Sequence, residues 1–154
     1  MSRSLDPTDV AIIAALRRDP RASIAELARA VDLARGPAYS RLDRLEREGV
    51  ITGYGPDVDE VRAGYSVLAF TTLEISQGSH DETIGRLRRI GEILAIHTVT
   101  GGGDLLCRVV ARSNDHLHEI LQQVVAIPSV TRTETQLSLS STRRRTAADL
   151  LAGE

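Results

Sequence analysis

The sequence predicts an α+β fold in which three short helices fill the first third of the chain and a βαββαβ unit fills most of the rest. Two observations support this prediction. Apolar residues recur at helical spacing three times before residue 49, and from about residue 65 they alternate with polar residues as in strands. Of the 154 residues, 42% are hydrophobic and 26% are charged, as in ordinary globular proteins. Each half alone would bury only a modest core, so oligomerisation is expected.

The first helix is predicted over about residues 7–18. Asp6 can cap its free amide groups, Pro7 is favourable in a first turn, and the pair Asp19-Pro20 ends it. The apolar residues that face inward at helical spacing are Val10, Ile13 and Leu16. This helix is therefore defined by its own start and stop signals.

Two further helices follow at close spacing. Ser23 and Glu26 form an S-x-x-E capping box at the start of a helix of about two turns. The third helix spans about residues 35–48, because Pro37 must lie in a first turn and Gly49 is a typical residue just past a helix end. Its inward-facing residues are Ala38, Leu42 and Leu45.

The second and third helices together predict a helix-turn-helix, a motif whose second helix enters the major groove of DNA. The stretch VITGYGPDV, residues 50–58, predicts a short strand and turn that would add a wing. Arg41 is expected to be a phosphate or scaffold residue. On spacing alone, a plain helical bundle with solvated arginines fits equally well. The residues expected to contact DNA are Arg35, Gly36, Tyr39, Ser40, Arg41 and Arg44.

Charge and cysteine content say less about function. The net charge is −2, with residues 1–54 slightly basic and residues 55–154 slightly acidic. The start MSRSLDPTD lacks the apolar core of a secretory signal, and Cys107 has no second cysteine to pair with, so a cytoplasmic protein without a membrane span is expected. No metal or cofactor is expected: His116 and His118 point about 200° apart around a helix, at about 100° per residue.

The C-terminal two thirds predict four strands and two helices in the order βαββαβ. The first helix, over about residues 81–90, starts at a capping box of Ser79 and Glu82, and the second is capped by Ser113 and ended by Pro128. This order is that of a ferredoxin-like fold, in which both helices cover one face of an antiparallel sheet. The predicted strands lie within residues 64–75, 93–100, 104–112 and 129–141.

The uncovered face of this sheet predicts self-association. In the first strand, Leu68 and Phe70 lie on one face, whereas Leu73 and Ile75 lie on the other, so neither face is wholly polar. A half-apolar open sheet face is most simply covered by a second copy of itself. We therefore expect a sheet-to-sheet homodimer.

Three segments of the chain resemble the Lrp/AsnC family of feast/famine regulators. The run RLDRLEREGVITGY, Arg41 to Tyr54, resembles the hallmark of that family, and LDPTDVAIIAALRRDPRAS resembles its opening helix. The run HTVTGGGDLLCRV resembles the effector loop of its RAM domain. The resemblance covers roughly residues 5–140. It implies a transcriptional regulator, not an enzyme, that binds operator double-stranded DNA as a homodimer assembling to a tetramer or octamer.

The same resemblance implies an effector, an amino acid or related metabolite, that modulates assembly or DNA affinity. Glycine amides would approach its carboxylate and Asp104 would take its ammonium group. Family members commonly carry an acidic and an aromatic residue where Gly102 and Gly103 stand. From the residues alone, a tight turn explains the glycines equally well. The expected effector residues are Thr100, Gly101, Gly102, Gly103, Asp104, Thr133 and Thr135.

Two further departures from the family pattern concern the third helix. Ala34 stands where a capping serine is usual, which removes about 1 kcal/mol of stabilisation, and Asp43 places a negative charge on the DNA side. Both weaken or narrow the expected DNA binding.

The expected organisation has four parts: a winged helix-turn-helix domain over residues 1–54, a wing or linker over 55–65, an effector-binding and oligomerisation (RAM) domain over 66–142, and a C-terminal tail over 143–154. The tail contains Arg143 to Arg145, for which no role is predicted.

The competing interpretation of the chain is a ferredoxin-like amino-acid-binding module or metabolic enzyme without DNA binding, whose helical N-terminus serves only for assembly.

Overall fold

The computed structural model describes residues 5–143 and 145–152. The chain divides into two compact units, one containing residues 1–56 with 142–154 and the other containing residues 57–141. Each unit has its own hydrophobic core. In chain order, the elements in the described residues are α1 (Pro7–Arg18), α2 (Ile24–Ala30), α3 (Arg35–Arg47), β1 (Val67–Ile75), α4 (His80–Leu87), β2 (Ile93–Thr98), β3 (Leu105–Ala111), α5 (Asn114–Val125), β4 (Val130–Leu137) and α6 (Ala147–Ala152).

The N-terminal helices begin where their capping residues predict. The Asp6 carboxylate accepts a hydrogen bond from the Asp9 amide at 2.9 Å, and the Asp9 carboxylate accepts one from the Asp6 amide at 3.2 Å. Ser23 and Glu26 make the corresponding reciprocal pair at α2. The predicted starts of both helices are confirmed. The helices enclose a core whose most buried members are Ile12, Leu27 and Leu45.

The turn between α2 and α3 is tight because α2 ends in a Schellman arrangement. The Leu33 amide donates to the Ala28 carbonyl at 2.9 Å, across an Asp32 whose φ is +53°. Asp is one of the few non-glycine residues that visit this left-handed region, because its short polar side chain can hydrogen-bond locally. Ala34 then stands at the N-cap of α3 with no side-chain hydrogen bond, as the sequence predicts.

The strand predicted for a wing is wrong. Residues 50–58, all of which the structure describes, contain no strand. The amides of Val50 and Ile51 both donate to the Leu45 carbonyl, at 2.9 and 3.1 Å, and Gly49 turns the chain with a φ of +70°. Because these donors satisfy the end of α3, they are not free to pair with another strand.

The interpretation of residues 143–154 as a separate tail also needs correction. Residues 147–152 form α6, and Ala148 and Leu151 pack against the N-terminal core. The Nε of Arg17 on α1 donates to the Asp149 carboxylate at 3.1 Å. The chain therefore returns to its N-terminal unit after leaving it. Of the three arginines near this segment, Arg144 lies outside the described residues.

Within residues 57–141, the four strands form an antiparallel sheet in the order β2-β3-β1-β4, which confirms the ferredoxin-like prediction. Cys107 is a core residue of the sheet, 1% exposed, and burial raises the pKa of its thiol to about 11. The Cys107 thiol is therefore a packing group of the core and not a reactive thiol. The core formed by the sheet with α4 and α5 includes Leu73, Leu87, Leu105, Cys107, Val109, Ile120 and Val124.

The opposite face of the sheet carries both apolar and charged residues. Phe70 on β1 is 37% exposed and lies opposite Arg108 on β3. Arg108 donates to the Glu60 carboxylate at 2.7 Å, so a turn that precedes β1 is joined to this face. This face, on the side of the sheet away from α4 and α5, is only partly apolar.

The capping box predicted at the start of α4 is wrong. The Ser79 hydroxyl donates to the Ser76 carbonyl at 2.9 Å instead of capping the helix, and Glu82 pairs with Arg86 one turn later. Thr83 donates to the Ser79 carbonyl at 2.7 Å. The helix therefore begins at His80 and ends at Leu87, earlier than predicted. By contrast, the predicted Ser113 cap of α5 is confirmed, because its hydroxyl accepts from the His116 amide.

Candidate nucleic-acid interface and effector loop

One face of α3 is exposed and carries four of the six predicted DNA-contacting residues. Arg35, Gly36, Tyr39 and Ser40 are all exposed there, and Tyr39 is 62% exposed. Ala38 and Leu45, on the opposite side of the helix, are fully buried. The structure thus presents a polar surface at the N-terminal half of the second helix of a helix-turn-helix.

The other two predicted DNA-contacting residues turn away from this face. Arg41 donates to the Asp6 carboxylate at 2.6 Å and to the Asp9 carboxylate at 2.8 Å, and Arg44 donates to Asp9 at 2.6 Å. The hydrogen bond from Arg41 lowers the pKa of Asp6 below its usual value. These bonds agree with a scaffold role, one of the two roles that the sequence predicts for Arg41. Arg44 is also paired inside the unit, and its contact with DNA stays a prediction.

The negative charge of Asp43 on the exposed side of α3 is compensated. Arg47, one turn further along, donates to the Asp43 carboxylate at 2.8 Å and is 70% exposed. Arg47 was not predicted as a site residue, although its i,i+4 spacing from Asp43 is a sequence signal for this pair. Arg35 and Arg47 are therefore the exposed cations at the two ends of this face.

The chain that follows α3 is fixed to the helix by Tyr54. Its hydroxyl donates to the Glu46 carboxylate. Partial burial, together with that carboxylate, raises the pKa of Tyr54 to about 12. The phenol stays protonated at neutral pH and keeps its role as a donor to α3.

The glycine loop between β2 and β3 lies directly on β1. Gly101 has a φ of +107°, which favours glycine. At Gly103, an added Cβ atom would lie 2.3 Å from Cγ2 of Thr72 and 3.2 Å from the Leu73 carbonyl oxygen. A side chain at position 103 would therefore require Thr72 or the strand backbone to shift.

Asp104 ties this loop to the end of β1. Its amide donates to the Leu73 carbonyl at 2.8 Å, and its carboxylate Oδ2 accepts from the Ile75 amide at 2.8 Å. One carboxylate oxygen is thus used to hold the loop. A contact between Asp104 and an ammonium group remains a prediction that would depend on the second oxygen.

Two shallow depressions adjoin the glycine loop. The first, of about 330 Å³, is lined by Thr72, Thr100, Gly103 and Glu134 among others, and the second, of about 430 Å³, by the glycines, Glu74 and Arg132. Neither contains the predicted Thr133 or Thr135. The Thr135 hydroxyl instead contacts the Thr71 hydroxyl at 3.1 Å on the helix-covered face. Glu134 and Arg132, which the sequence analysis does not name, line these depressions, and the alternation of β4 indicates that they share the other face.

Neither a metal site nor a membrane span is found in the part of the chain that the structure describes. No group of three or more His, Cys, Asp and Glu side chains there is arranged to hold a metal ion. No helix among those residues is long and apolar enough to cross a membrane.

A helix-turn-helix with a free polar recognition face, joined in one chain to a ferredoxin-like unit, is the plan of a ligand-responsive DNA-binding regulator. Residues 5–52 match the profile of winged helix-turn-helix DNA-binding domains, and residues 68–148 match the profile of the Lrp/AsnC ligand binding domain. The chain belongs to the Lrp/AsnC family.

Proteins that match most of the length of this chain are named as transcriptional regulators. The HTH-type transcriptional regulator FL11 of Pyrococcus abyssi is 29% identical over 95% of this chain and 97% of its own length. The HTH-type transcriptional regulator LrpA1 of Halobacterium salinarum is 30% identical over 83% of this chain and 91% of its own. The protein is therefore a transcriptional regulator with a DNA-binding helix-turn-helix and a ligand-binding domain, not an enzyme. The competing interpretation without DNA binding is wrong.

Solved structures share the fold. The structure of E. coli AsnC has a TM-score of 0.88 at 26% identity and covers 95% of this chain and 99% of its own. A transcriptional regulator from Neisseria meningitidis, solved as a complex with L-Met, has a TM-score of 0.83 at 23% identity and covers 93% of this chain and 95% of its own. These likenesses agree with the predicted α+β class.

Proposed function

We propose that the chain reads a specific operator through the exposed face of α3. The observation that carries this proposal is the grouping of Arg35, Gly36, Tyr39 and Ser40 on one exposed surface of α3. Arg35 can make a bidentate hydrogen bond to guanine, and Tyr39 can contact base edges or the backbone. Arg47 is exposed at the far end of the same face, where it offsets the negative charge of Asp43.

In this proposal the two units of the chain have different functions. Residues 1–54 read DNA, residues 55–65 connect, and residues 66–142 bind the effector and assemble the protein. Sheet faces carrying Phe70 pack together in a homodimer, which places two copies of α3 on a roughly palindromic site, and dimers associate into a tetramer or octamer. The proposed place of action is the cytoplasm, with the DNA it regulates.

We further propose that an amino acid or related metabolite binds beside the glycine loop and alters assembly or DNA affinity. The loop amides can approach a carboxylate, and Glu134 and the second oxygen of Asp104 can accept from an ammonium group. A protein of the same fold has been solved with L-Met, which makes an amino acid the first class to test. The effector would act by favouring one assembly over another.

The DNA proposal is tested by selecting bound sequences from a random duplex pool with the full chain. Arg35→Ala should then cost roughly 1–3 kcal/mol at one operator position and relax specificity there. Arg88→Ala, which removes an exposed arginine next to α4, is the matched control and should leave binding unchanged. A uniform loss across all sequences would make Arg35 a phosphate contact, and selection of no sequence at all would contradict operator reading.

The effector proposal is tested on the selected operator with a panel of amino acids, measuring DNA affinity and the oligomeric state together. At least one amino acid should shift one of the two quantities, and Glu134→Gln should weaken that response severalfold. Glu119→Gln, an exposed carboxylate on α5, serves as the control. If no amino acid changes either quantity, effector binding at this loop is rejected while DNA reading stands.

A further inference from the structure

The start of α1 is tied to the middle of α3 by charged side chains. Oδ1 of Asp9 accepts from Arg41 at 2.8 Å and from Arg44 at 2.6 Å, and Oδ2 of Asp6 accepts from Arg41 at 2.6 Å. Asp9 is only 2% exposed. Two guanidinium groups on α3 therefore converge on one buried carboxylate.

The same two aspartates form the capping box of α1, so this pair of residues both caps α1 and binds α3. Their remaining oxygens accept from each other's backbone amides and so fix the first turn of the helix. The second capping box of this unit, Ser23 with Glu26, has the same backbone pattern. Among the described residues, however, no arginine donates a hydrogen bond to Glu26. The link to α3 is thus a property of the first box and not of capping itself.

The location of these arginines on α3 makes the link relevant to DNA. Arg44 follows the exposed Ser40 by one turn and lies in the same row of side chains, and Arg41 is its neighbour toward α1. On this side of α3, an arginine without a carboxylate partner would be able to reach DNA phosphates. These phosphates border the groove that α3 enters. The aspartates hold both cations back from that role.

We propose that Asp9, together with Asp6, is a positioning residue for DNA reading. The pair fixes how α3 is turned on α1, and it withholds Arg41 and Arg44 from phosphate. Affinity then depends more on base contacts from the exposed face of α3 than on charge alone. This inference rests on the proposed reading of operator DNA by that face.

The salt dependence of DNA affinity tests the proposal, with full-length protein and a short duplex of random sequence as the probe. For B-DNA, the logarithm of affinity falls against the logarithm of salt concentration with a slope of about 0.9 per phosphate contact. Asp9→Asn preserves the side-chain shape but removes the charge that holds the arginines. The slope should steepen by about 0.9, because Arg44 loses its carboxylate partner while Arg41 keeps Asp6. Preference for the selected operator over random duplex should fall severalfold.

Two matched variants separate this effect from loss of the helix cap. Glu26→Gln removes the corresponding carboxylate from the second capping box and should leave the slope unchanged. Combining Asp9→Asn with Arg41→Gln and Arg44→Gln should return the slope to that of the parent protein, because the released cations are gone.

A third variant decides the question if Asp9→Asn fails to fold. Asp6→Asn keeps a good N-cap residue and removes one of the two partners of Arg41, so it should fold and give a smaller steepening of the slope. Lower affinity for every duplex at an unchanged slope would overturn the proposal and leave the aspartates as purely structural. Failure of the parent protein to bind any duplex would instead contradict operator reading itself.

Discussion

The recognition helix and the glycine loop are the two candidate sites of this protein, and different kinds of contact hold them in place. In the N-terminal unit, α3 is fixed by long charged side chains, since Arg41 and Arg44 reach the aspartates at the start of α1. In the C-terminal unit, the loop before β3 is fixed by backbone contacts and by the lack of a side chain at Gly103. A site built from side chains tolerates small changes of shape, whereas a site built from close backbone approach does not.

The largest effect is expected where the loop meets β1. Gly103→Ala places a Cβ atom 2.3 Å from Cγ2 of Thr72, a β-branched residue with little freedom to move, and should destabilise the C-terminal unit by about 2 kcal/mol. Chemical unfolding measures this change. Gly102→Ala, whose Cβ meets nothing within 4 Å, is the control and should change stability by less than about 0.5 kcal/mol.

The clash at position 103 also predicts a specific rescue. Thr72→Ser removes Cγ2, so the double variant Thr72→Ser with Gly103→Ala should recover most of the lost stability. Equal losses in the single and double variants would show that the Leu73 carbonyl, and not Thr72, sets the limit.

A smaller effect of opposite sign is expected at the start of the recognition helix. Ala34 has the extended conformation of an N-cap residue but makes no side-chain hydrogen bond, so Ala34→Ser should stabilise the N-terminal unit by about 1 kcal/mol. Ser23→Ala removes an existing cap from α2 and should destabilise it by a similar amount. Denaturant midpoints compare the two; if Ala34→Ser gives no gain, the start of α3 does not limit the stability of this unit.

The smallest effect is expected in acid, at the helix that returns to the N-terminal unit. Hydrogen bonds from the backbone and hydroxyl of Thr146, with a further one from Arg17, lower the pKa of Asp149 to about 2. Because this value is depressed, the stabilisation is complete above the unfolded value of about 3.9 and is lost as the pH falls toward 2. Docking of α6, followed by amide exchange at Leu151, should weaken over that interval.

Asp149→Asn should abolish the acid dependence of α6 docking, while Asp115→Asn on α5 should not alter it. An unchanged pH profile in Asp149→Asn would assign the acid effect to another carboxylate.

The features that sequence predicts well are those whose causes lie within a few residues. Asp6 and Ser23 cap their helices through neighbours three positions away, and the alternation along β1 separates the buried from the open face. Local signals also have limits, as Ser79 shows: its hydroxyl has a competing acceptor, the Ser76 carbonyl, that the S-x-x-E pattern does not reveal.

The contacts of several predicted site residues depend on partners far along the chain. The sequence predicts that Arg44 contacts DNA, and it does not reveal that packing brings Asp9, 35 positions earlier, within hydrogen-bonding distance of Arg44. The alternation of β4 puts Thr133 and Thr135 on one face and Glu134 on the other, and it does not say which face adjoins the effector loop. Pairing of β4 with β1 decides that, and it favours Glu134.

The short helix α6 was missed for a related reason. Six residues are too few to form a stable helix on their own, so its existence depends on the core against which Ala148 and Leu151 pack. No periodic pattern of that length distinguishes such a helix from a solvated tail.

The return of α6 has a consequence for how this gene can be recombined. Because the DNA-reading unit combines two segments that are separated in the sequence, a single crossover near residue 56 would join a new reader to the old Ala148 and Leu151. Exchange of complete readers between relatives requires two crossovers, one near residue 56 and one near residue 142. Chimeras made with one junction should therefore inherit a mismatched pair of helices, and the penalty should grow as the parents diverge on the surface of α1.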